Sequence, residues 1–308
     1  MQSSTFDRRL LFGLSGVKLL VHVLLAGRYG YFRDELYFLD CGRHLDWGYV
    51  DHAPLIGLVS RLALMLGGSL HALRIFSAVA GALLVALMML MAWRLGAGRF
   101  GQGLAGLAVL AAPIYLGVDS ILSMNAFEPL FWMGCVYLLI RIVQTGNSRL
   151  WIGIGALAGL GLMNKHSSVF FLAALAIAVL LTPLRAELRK PWPWVAAAVA
   201  LLIFLPNVVW QIAHGFPTLE DLQNVAREGK NVVLGPVEFI VQQIILLHPV
   251  LFPLWLAGLV WLFAWFGGRY RVLGWTFIVL AVALFVMKGK NYYLAPIYPM
   301  LFAAGARW

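Results

Sequence analysis

Five carboxylates, Asp34, Glu35, Asp40, Asp46 and Asp51, fall between Tyr31 and Leu55 in a chain of which only 12% is charged. Asp34 and Glu35 are adjacent, so on a helix their side chains diverge by about 100° and do not converge on one substrate atom. Two readings of the pair stay open. In one, Asp34 caps a short amphipathic helix, "DELYFLDCGRHL", with Glu35 in its first turn, where the helix dipole favours an acid. In the other, one carboxylate is a general base that takes the proton of an acceptor hydroxyl. Asp51-His52 stands directly before Ala53-Pro54-Leu55, whose proline fixes the start of the next element. An Asp and a His suit a divalent ion, but two ligands do not define a site, and a solvated loop pair is the alternative.

The cations that could answer these acids are few. Lys165-His166 ends the run "GLGLMNKHSSVFF", and Lys288 and Lys290 flank a glycine in "VMKGKNYYLAPIYPM", ahead of Tyr292 and Tyr293. Lysines beside an apolar run often only snorkel, and with tyrosines they make an interfacial belt. The same groups would hold a phosphate or pyrophosphate at a membrane surface. Arg74, in "HALRIFSAVAG", reads as a packing anchor or as a further phosphate ligand. Asn125 and Glu128 open another run, where an acid suits a helix N-terminus. Lys18 and His22, one turn apart inside the first run, should face another helix rather than lipid. Phosphate-loop, nucleophile-elbow and dinucleotide fingerprints are absent.

These residues are positioned by apolar elements. The chain is 62% hydrophobic with mean hydropathy +0.86, too poor in charge for a soluble surface, and it reads as an all-α, single-domain (1–308) integral membrane protein. Runs near the ~20 residues needed to cross a bilayer predict about ten spans: 10–27, 71–95, 101–118, 124–144, 151–164, 167–184, 193–213, 239–266, 272–287 and 292–306. The run 54–67 is too short to count and is expected along the interface. The first run follows Arg8 and Arg9 and meets Gly27-Arg28 instead of a small-x-small cleavage site, so it reads as a retained anchor. Cys41 and Cys135 make neither a disulfide framework nor a cysteine metal site. The net charge of +10 is spread singly or in pairs between runs, which excludes a nucleic-acid patch.

Alternate connections hold Arg8/Arg9, Arg94/Arg99, Arg141/Arg149, Arg185/Arg189/Lys190, Arg269/Arg271 and Arg307, which predicts a cytoplasmic N-terminus. The outer side then receives 28–70, the loop from Asp119 to Asn125, Lys165-His166, the connection 214–238, and Lys288 to Asn291. Eleven of the thirteen acids fall there, all but Asp7 and Glu187, together with three lysines that oppose the topological trend. A site at the outer surface would explain that arrangement. Thr182-Pro183 and "KPWP" should end helices, and Pro249 and Pro253 should kink the eighth span.

The segments "FRDELYF", "YVDHAPLIGLV", "ALRIFSAVAGALL", "GLGLMNKHSSVFFLAAL" and "KGKNYYLAPIYPMLFAAGA", in that order, resemble one family. It is the GT-C type of polytopic glycosyltransferase of family 39, which includes protein O-mannosyltransferases and the aminoarabinose transferases of lipid A. The resemblance implies a GT-C-like fold with short amphipathic helices in the first outer loop. It implies transfer of a sugar from a polyprenyl-phosphate donor to a lipid, glycan or protein hydroxyl, with inversion, at the outer face of the inner (plasma) membrane. By match to the family's first-loop acid pair, Asp34 would be the base and Glu35 its support. The family's acid-basic-Pro-Pro-Leu element stands here as Asp51-His52-Ala53-Pro54-Leu55, with His for the lysine of aminoarabinose transferases and Ala for the first proline. Asp51 then resembles a divalent-ion ligand or an orienting acid, and His52 a contact to the donor phosphate.

On this resemblance Lys165, His166, Lys288, Lys290 and Arg74 join His52 around the phosphate. Asn125, Glu128, Tyr292 and Tyr293 line the substrate groove, with Asp119 as an outside candidate for the acid that opens the fourth span. A phosphate leaving group already carries negative charge, so it needs cations more than a general acid. Family members commonly continue into further spans or a soluble C-terminal domain, so the expectation is a chain that is either truncated or unusually short. Two rivals remain: a secondary transporter, disfavoured because Asp119, Glu128 and Lys165 lie at span ends rather than midpoints, and a noncatalytic subunit that binds lipid phosphate and needs no Asp34.

Overall fold

Proline and charge, more than the length of apolar runs, decide where the helices stop. The computed structural model describes residues 5–228 and 234–307, and the regular structure among them is helical throughout. Residues 229–233 of the connection 214–238, and Trp308, lie outside the described residues. In chain order the α-helices are α1 (Arg8–Leu25), α2 (Arg33–Arg43), α3 (Leu55–Met65), α4 (Leu70–Arg94), α5 (Arg99–Ala111), α6 (Pro113–Val118), α7 (Met124–Thr145) and α8 (Trp151–Asn164). They continue as α9 (Ser168–Leu180), α10 (Trp192–Ala213), α11 (Pro217–Arg227), α12 (Pro236–Leu247), α13 (Phe252–Phe263), α14 (Arg271–Val286) and α15 (Tyr298–Gly305). Short 3-10 segments fill several joints, among them Pro183–Arg189, Trp265–Tyr270 and Asn291–Ile297.

The ten runs expected as spans are not all continuous helices. Among the described residues four helices are long and apolar enough to cross a membrane, α4, α7, α10 and Gly268–Val286, or six if two bent pairs each count once. α1 carries three cations, Arg8, Arg9 and Lys18, within its 18 residues. Pro113 splits the run 101–118 into α5 and α6, since proline lacks the donor that would continue a helix. α9 meets Pro183–Arg189 at 101°, and α12 meets Pro249–Phe263 at 98°. The second bend falls at His248, held at φ +78 before Pro249, so the predicted kink is close to a right angle.

α4 is the central post, packed against α1, α5, α7 and α15. Of its membrane window 61% is buried, against 17% for α10, so α10 is the peripheral helix. Lipid is as apolar as leucine, so close packing rather than water exclusion holds such helices together. Gly155 and Gly159 of α8 let the backbone of α10 approach at Ala196 and Ala200. Gly258 of α13 and Gly305 of α15 abut each other's helix so closely that a Cβ on either would collide with the carbonyl of Leu301 or Leu254.

The loop 28–70 folds as α2 and α3, packed on one another as a platform beside the bundle. Its small core is Phe38 and Leu39 from α2, Ile56, Val59 and Ala63 from α3, with Leu73 and Leu122 beneath. α3 is the 11-residue helix formed by the short run. Gly42 lets α2 lie directly on the backbone of Ser60 and Arg61.

Gly258→Val should therefore lower stability by ~1–3 kcal/mol or more through overpacking. Gly13→Ala, at an open helical position with nothing within 4 Å, should raise it by up to about 1 kcal/mol. Thermal unfolding of the detergent-solubilised protein measures both.

Candidate active site

Glu35 is fully buried, and all of its acceptor capacity is in use. α2 begins at Arg33 with Phe32 as N-cap, and Glu35, three residues on, turns its carboxylate back to accept the Phe32 N–H at 2.8 Å. The expected cap at Asp34 is thus corrected: the capping acid is Glu35. Arg74, from the first turn of α4, donates to Glu35 through Nε at 2.9 Å and Nη2 at 2.6 Å, and the Leu122 N–H adds a bond of 2.9 Å. The remaining N–H groups of Arg74 reach the carbonyls of Ala26 at 2.6 Å, Tyr29 at 2.9 Å and Gly30 at 2.7 Å. All five guanidinium donors are consumed. The expected phosphate-binding role of Arg74 is corrected on that ground: it ties the chain between α1 and α2 to α4. Burial alone would raise the pKa of Glu35, but the bonds from Arg74, Phe32 and Leu122 outweigh it and hold the carboxyl below its ordinary value.

Asp34 is different. Its side chain is 43% exposed and pairs only with Arg33 Nε at 3.0 Å, on a guanidinium that is itself 89% exposed. Such a pair is screened by water and worth little. Burial, then the neighbouring Tyr293 hydroxyl, then the charges of Glu128 and Asp34 push the Tyr292 hydroxyl to a higher pKa. Asp34 and Glu128 therefore both act on Tyr292.

The cationic pole is Lys165. α8 ends at Asn164, whose side chain donates to the Met124 carbonyl at 2.9 Å and fastens that end to the start of α7. Lys165 then leaves the helix in extended conformation. Its Nζ donates to Asn125 Oδ1 at 2.8 Å and Glu128 Oε2 at 2.9 Å, 4.5 Å from the Tyr293 ring centre and 5.7 Å from that of Tyr292. Ser167 donates to the other Glu128 oxygen at 2.8 Å. Two of the three ammonium hydrogens are held, leaving one for a ligand. Glu128 is thus the acid that opens α7, and Asp119 is not available for that role: it is buried 2.8 Å from Lys18 Nζ. Lys18 faces inward, as its spacing with His22 predicts.

Lys288 and Lys290 are exposed and pair with no carboxylate among the described residues. Lys288 sits at φ +54, the left-handed position that closes α14, with its N–H on Phe285 and that of Gly289 on Leu284. Glycine is the usual residue there. The turn is anchored from α12: Asn291 bonds Gln242, and Gln243 donates to the Asn291 carbonyl at 3.0 Å.

Both candidate histidines are bonded within the protein. His52 has a fully buried side chain walled by the rings of Tyr37, Phe38 and Tyr49. Its Nδ1 bonds the Ala53 carbonyl at 2.9 Å and its Nε2 faces Cys41 Sγ at 3.7 Å. Burial lowers its pKa, partly opposed by the Ala53 bond and the Asp51 charge. Its expected phosphate contact is corrected: a neutral, enclosed imidazole holds α2 against the loop 44–54. His166 Nε2 lies 3.0 Å from Asn207 Oδ1, and Asn207 donates to the Trp47 carbonyl at 2.8 Å. Burial, opposed by the Asn207 bond and helped by His52, lowers the pKa of His166, so its free Nδ1 is an acceptor at neutral pH. Asn207, a buried polar residue in apolar α10, straps the Lys165-His166 turn to the first loop. Sequence reasoning missed it, although a lone amide inside an apolar run is itself a signal.

Asp51 accepts the Tyr37 hydroxyl at 2.7 Å. No three of His, Cys, Asp and Glu come together as metal ligands among the described residues, and His52 Nε2, 3.9 Å from Asp51, faces the Cys41 thiol. This donor set does not fit a divalent ion.

Asp34, Tyr292, Tyr293, Lys165, Asn125 and Glu128 thus converge from α2, the segment Asn291–Ile297, the α8–α9 turn and α7. A family model, that of the dolichyl-phosphate-mannose-protein mannosyltransferases, matches residues 51–210. The chain belongs to this family. The resemblance read from the sequence therefore holds at the level of family. Lipid A galacturonosyltransferase RgtD of Rhizobium johnstonii is 26% identical over 228 residues, 72% of this chain and 47% of its own. The chain spans about half the length of that relative. ArnT from Cupriavidus metallidurans, solved bound to undecaprenyl phosphate, matches with TM-score 0.73 at 19% identity, over 96% of this chain and 59% of that one. The Saccharomyces cerevisiae Pmt1–Pmt2 complex bound to its sugar donor matches at TM-score 0.50 and 16% identity, over 71% and 35%. The fold is therefore of the GT-C kind found in these transferases.

Glu35→Gln should cost ~3–5 kcal/mol, because it leaves the Arg74 charge buried without its partner. Asp34→Asn should stay within about 0.5 kcal/mol of wild type. The stabilisation from Glu35 is complete above its ordinary pKa of 4.5 and is lost as pH falls through the lower folded value. Unfolding midpoints followed from about pH 7 down to about pH 3 should show that limb below about pH 4.5 in wild type and not in Glu35→Gln.

Proposed function

We propose that the chain is a glycosyltransferase that moves a sugar from a polyprenyl-phosphate donor to an acceptor hydroxyl, with inversion at the anomeric carbon. The observation that carries this reading is the split between neighbours: Glu35 has no lone pair to spare, whereas Asp34 is half-exposed and within electrostatic reach of Tyr292, whose ring the Lys165 ammonium also approaches. A base and a phosphate-binding cation gathered at one tyrosine are the two groups that an in-line displacement needs.

Asp34 takes the proton of the acceptor hydroxyl as its oxygen attacks the anomeric carbon. The bond from that carbon to the phosphate oxygen breaks, and the phosphate departs with the electron pair. Lys165 stabilises that charge with its free N–H, and Lys288 and Lys290 supply further positive charge from the Lys288–Asn291 turn. Glu128 and Asn125 keep the Lys165 ammonium aimed, and the Tyr292 and Tyr293 rings wall the groove. Glu35 supports the base indirectly by pinning the first turn of α2. The ArnT and Pmt1–Pmt2 structures, bound to undecaprenyl phosphate and to a sugar donor, support the donor chemistry. We further place the site at the outer face of the inner membrane with the N-terminus in the cytoplasm. The arginine-bearing connections support that orientation, as they support ten membrane passages once short and broken helices are counted.

Purified protein given a radiolabelled polyprenyl-phosphate sugar and candidate acceptors tests this. Asp34→Asn should lower kcat about 10²- to 10⁴-fold with little change in donor KM. Lys165→Ala should lower kcat/KM and weaken donor binding. Transfer at the wild-type rate by Asp34→Asn would overturn the base assignment.

A further inference from the structure

We propose that a cavity on the face opposite the candidate active site binds the phosphate headgroup of an anionic phospholipid, with Arg269 and Arg271 as its ligands. The cavity, about 390 Å³, lies between the end of α7, the segment Pro183–Arg189 and the start of α14. Its lining includes the apolar side chains of Ile142, Val143, Leu184 and Val272 together with the two arginines. The helix Met124–Thr145 ends at this level and the span Gly268–Val286 begins there. An apolar recess with cations where two spans leave the hydrocarbon fits glycerol and acyl carbons below a phosphate. A soluble anion would gain nothing from those walls.

The arginines are available and supported. Neither pairs with a carboxylate among the described residues. Glu187, which also lines the cavity, is paired through Oε1 with Lys190 at 2.7 Å. The Arg269 guanidinium lies 4.7 Å from the Tyr270 ring centre. The Tyr270 hydroxyl in turn accepts from Gln144 of α7 at 2.9 Å, so the stacking partner is anchored to the opposite wall. Guanidinium groups present paired donors that match phosphate oxygens.

The charge of the whole face agrees. Residues 5–9, 94–99, 141–149, 185–190, 269–271 and 307 hold twelve of the 23 lysines and arginines and two of the 13 acids. The full net charge of +10 is therefore gathered here, and the rest of the chain is neutral. Contacts join these segments: Gln144 bonds both the Arg94 carbonyl and Tyr270, and Lys190 bonds Ser148. Topogenesis accounts for cations on one face in general. It gives no reason for an apolar recess between two of them.

The full chain is reconstituted in nanodiscs of phosphatidylcholine alone or mixed with phosphatidylglycerol, and retained lipid is counted by native mass spectrometry beside the unfolding midpoint. Wild type should retain phosphatidylglycerol over phosphatidylcholine and unfold at higher temperature when it is present. Arg269→Gln with Arg271→Gln should weaken that preference roughly tenfold with an unchanged midpoint in phosphatidylcholine. Arg269→Lys with Arg271→Lys, which keeps the charge, should preserve part of it. Arg185→Gln with Arg189→Gln, exposed cations of the same face, should preserve it fully. Undiminished preference in the Arg269/Arg271 glutamine variant, or equal loss in the Arg185/Arg189 variant, would overturn the site. So would an equal midpoint shift from inorganic phosphate in phosphatidylcholine discs. Sugar transfer is not read here, so the result stands apart from the proposed activity.

Discussion

The buried ion pair between Glu35 and Arg74 is the constraint on which the candidate site depends. It joins α2 to the first turn of α4, closes the N-terminus of α2, gathers the carbonyls of Ala26, Tyr29 and Gly30, and holds the backbone at Leu122. Removing two charges from water is expensive, and the cost is offset only when every donor and acceptor finds a partner. Here each does, so the pair fixes one geometry of the loop. One consequence concerns its neighbour. With Glu35 committed inward, the preceding residue on the helix is turned about 100° away, and Asp34 is left facing water with an exposed arginine as its partner.

A second constraint works from the other side. Lys165 stands on a short turn between two apolar helices and is oriented by Asn125, Glu128 and the Tyr293 ring. An ammonium aimed by fixed partners costs little reorganisation when a phosphate arrives, which is how preorganised charge accelerates group transfer. The Asn207 strap couples the two halves, because the α10 amide that bonds His166 also bonds the loop carrying Trp47. His52 belongs to the same scaffold, as its ring is spent on the aromatic contacts that shape the loop 44–54. The left-handed backbone at Lys288 is a local cost of order 1–3 kcal/mol, retained where a lysine adds positive charge beside the tyrosines.

Local patterns made much of this legible. The apolar runs gave the helical class, the charge alternation gathered the acids and three lysines, and the quoted segments identified the family. Pairings across the chain were not legible. Arg74 and Glu35 are 39 residues apart, and Lys165 and Glu128 are 37 apart, so no helical or strand period links them. His52 looked like a ligand because its type permits it, and only the surrounding Tyr37, Phe38 and Tyr49 rings show that it is enclosed. Run length does not show where helices break, because it does not register Pro113, Pro183 and Pro249, at which the chain turns. Asn207 escaped because a single amide in α10 has no pattern around it.

The central claim is that two adjacent carboxylates do different work, one structural and one facing substrate. Carbodiimide coupling of the native, detergent-solubilised protein, with modification at each residue followed by mass spectrometry, reads this directly. Asp34 should couple readily, and Glu35 should remain unmodified until the protein unfolds. Coupling of Glu35 as fast as Asp34, or an Asp34 that stays unmodified in the folded state, would contradict the account.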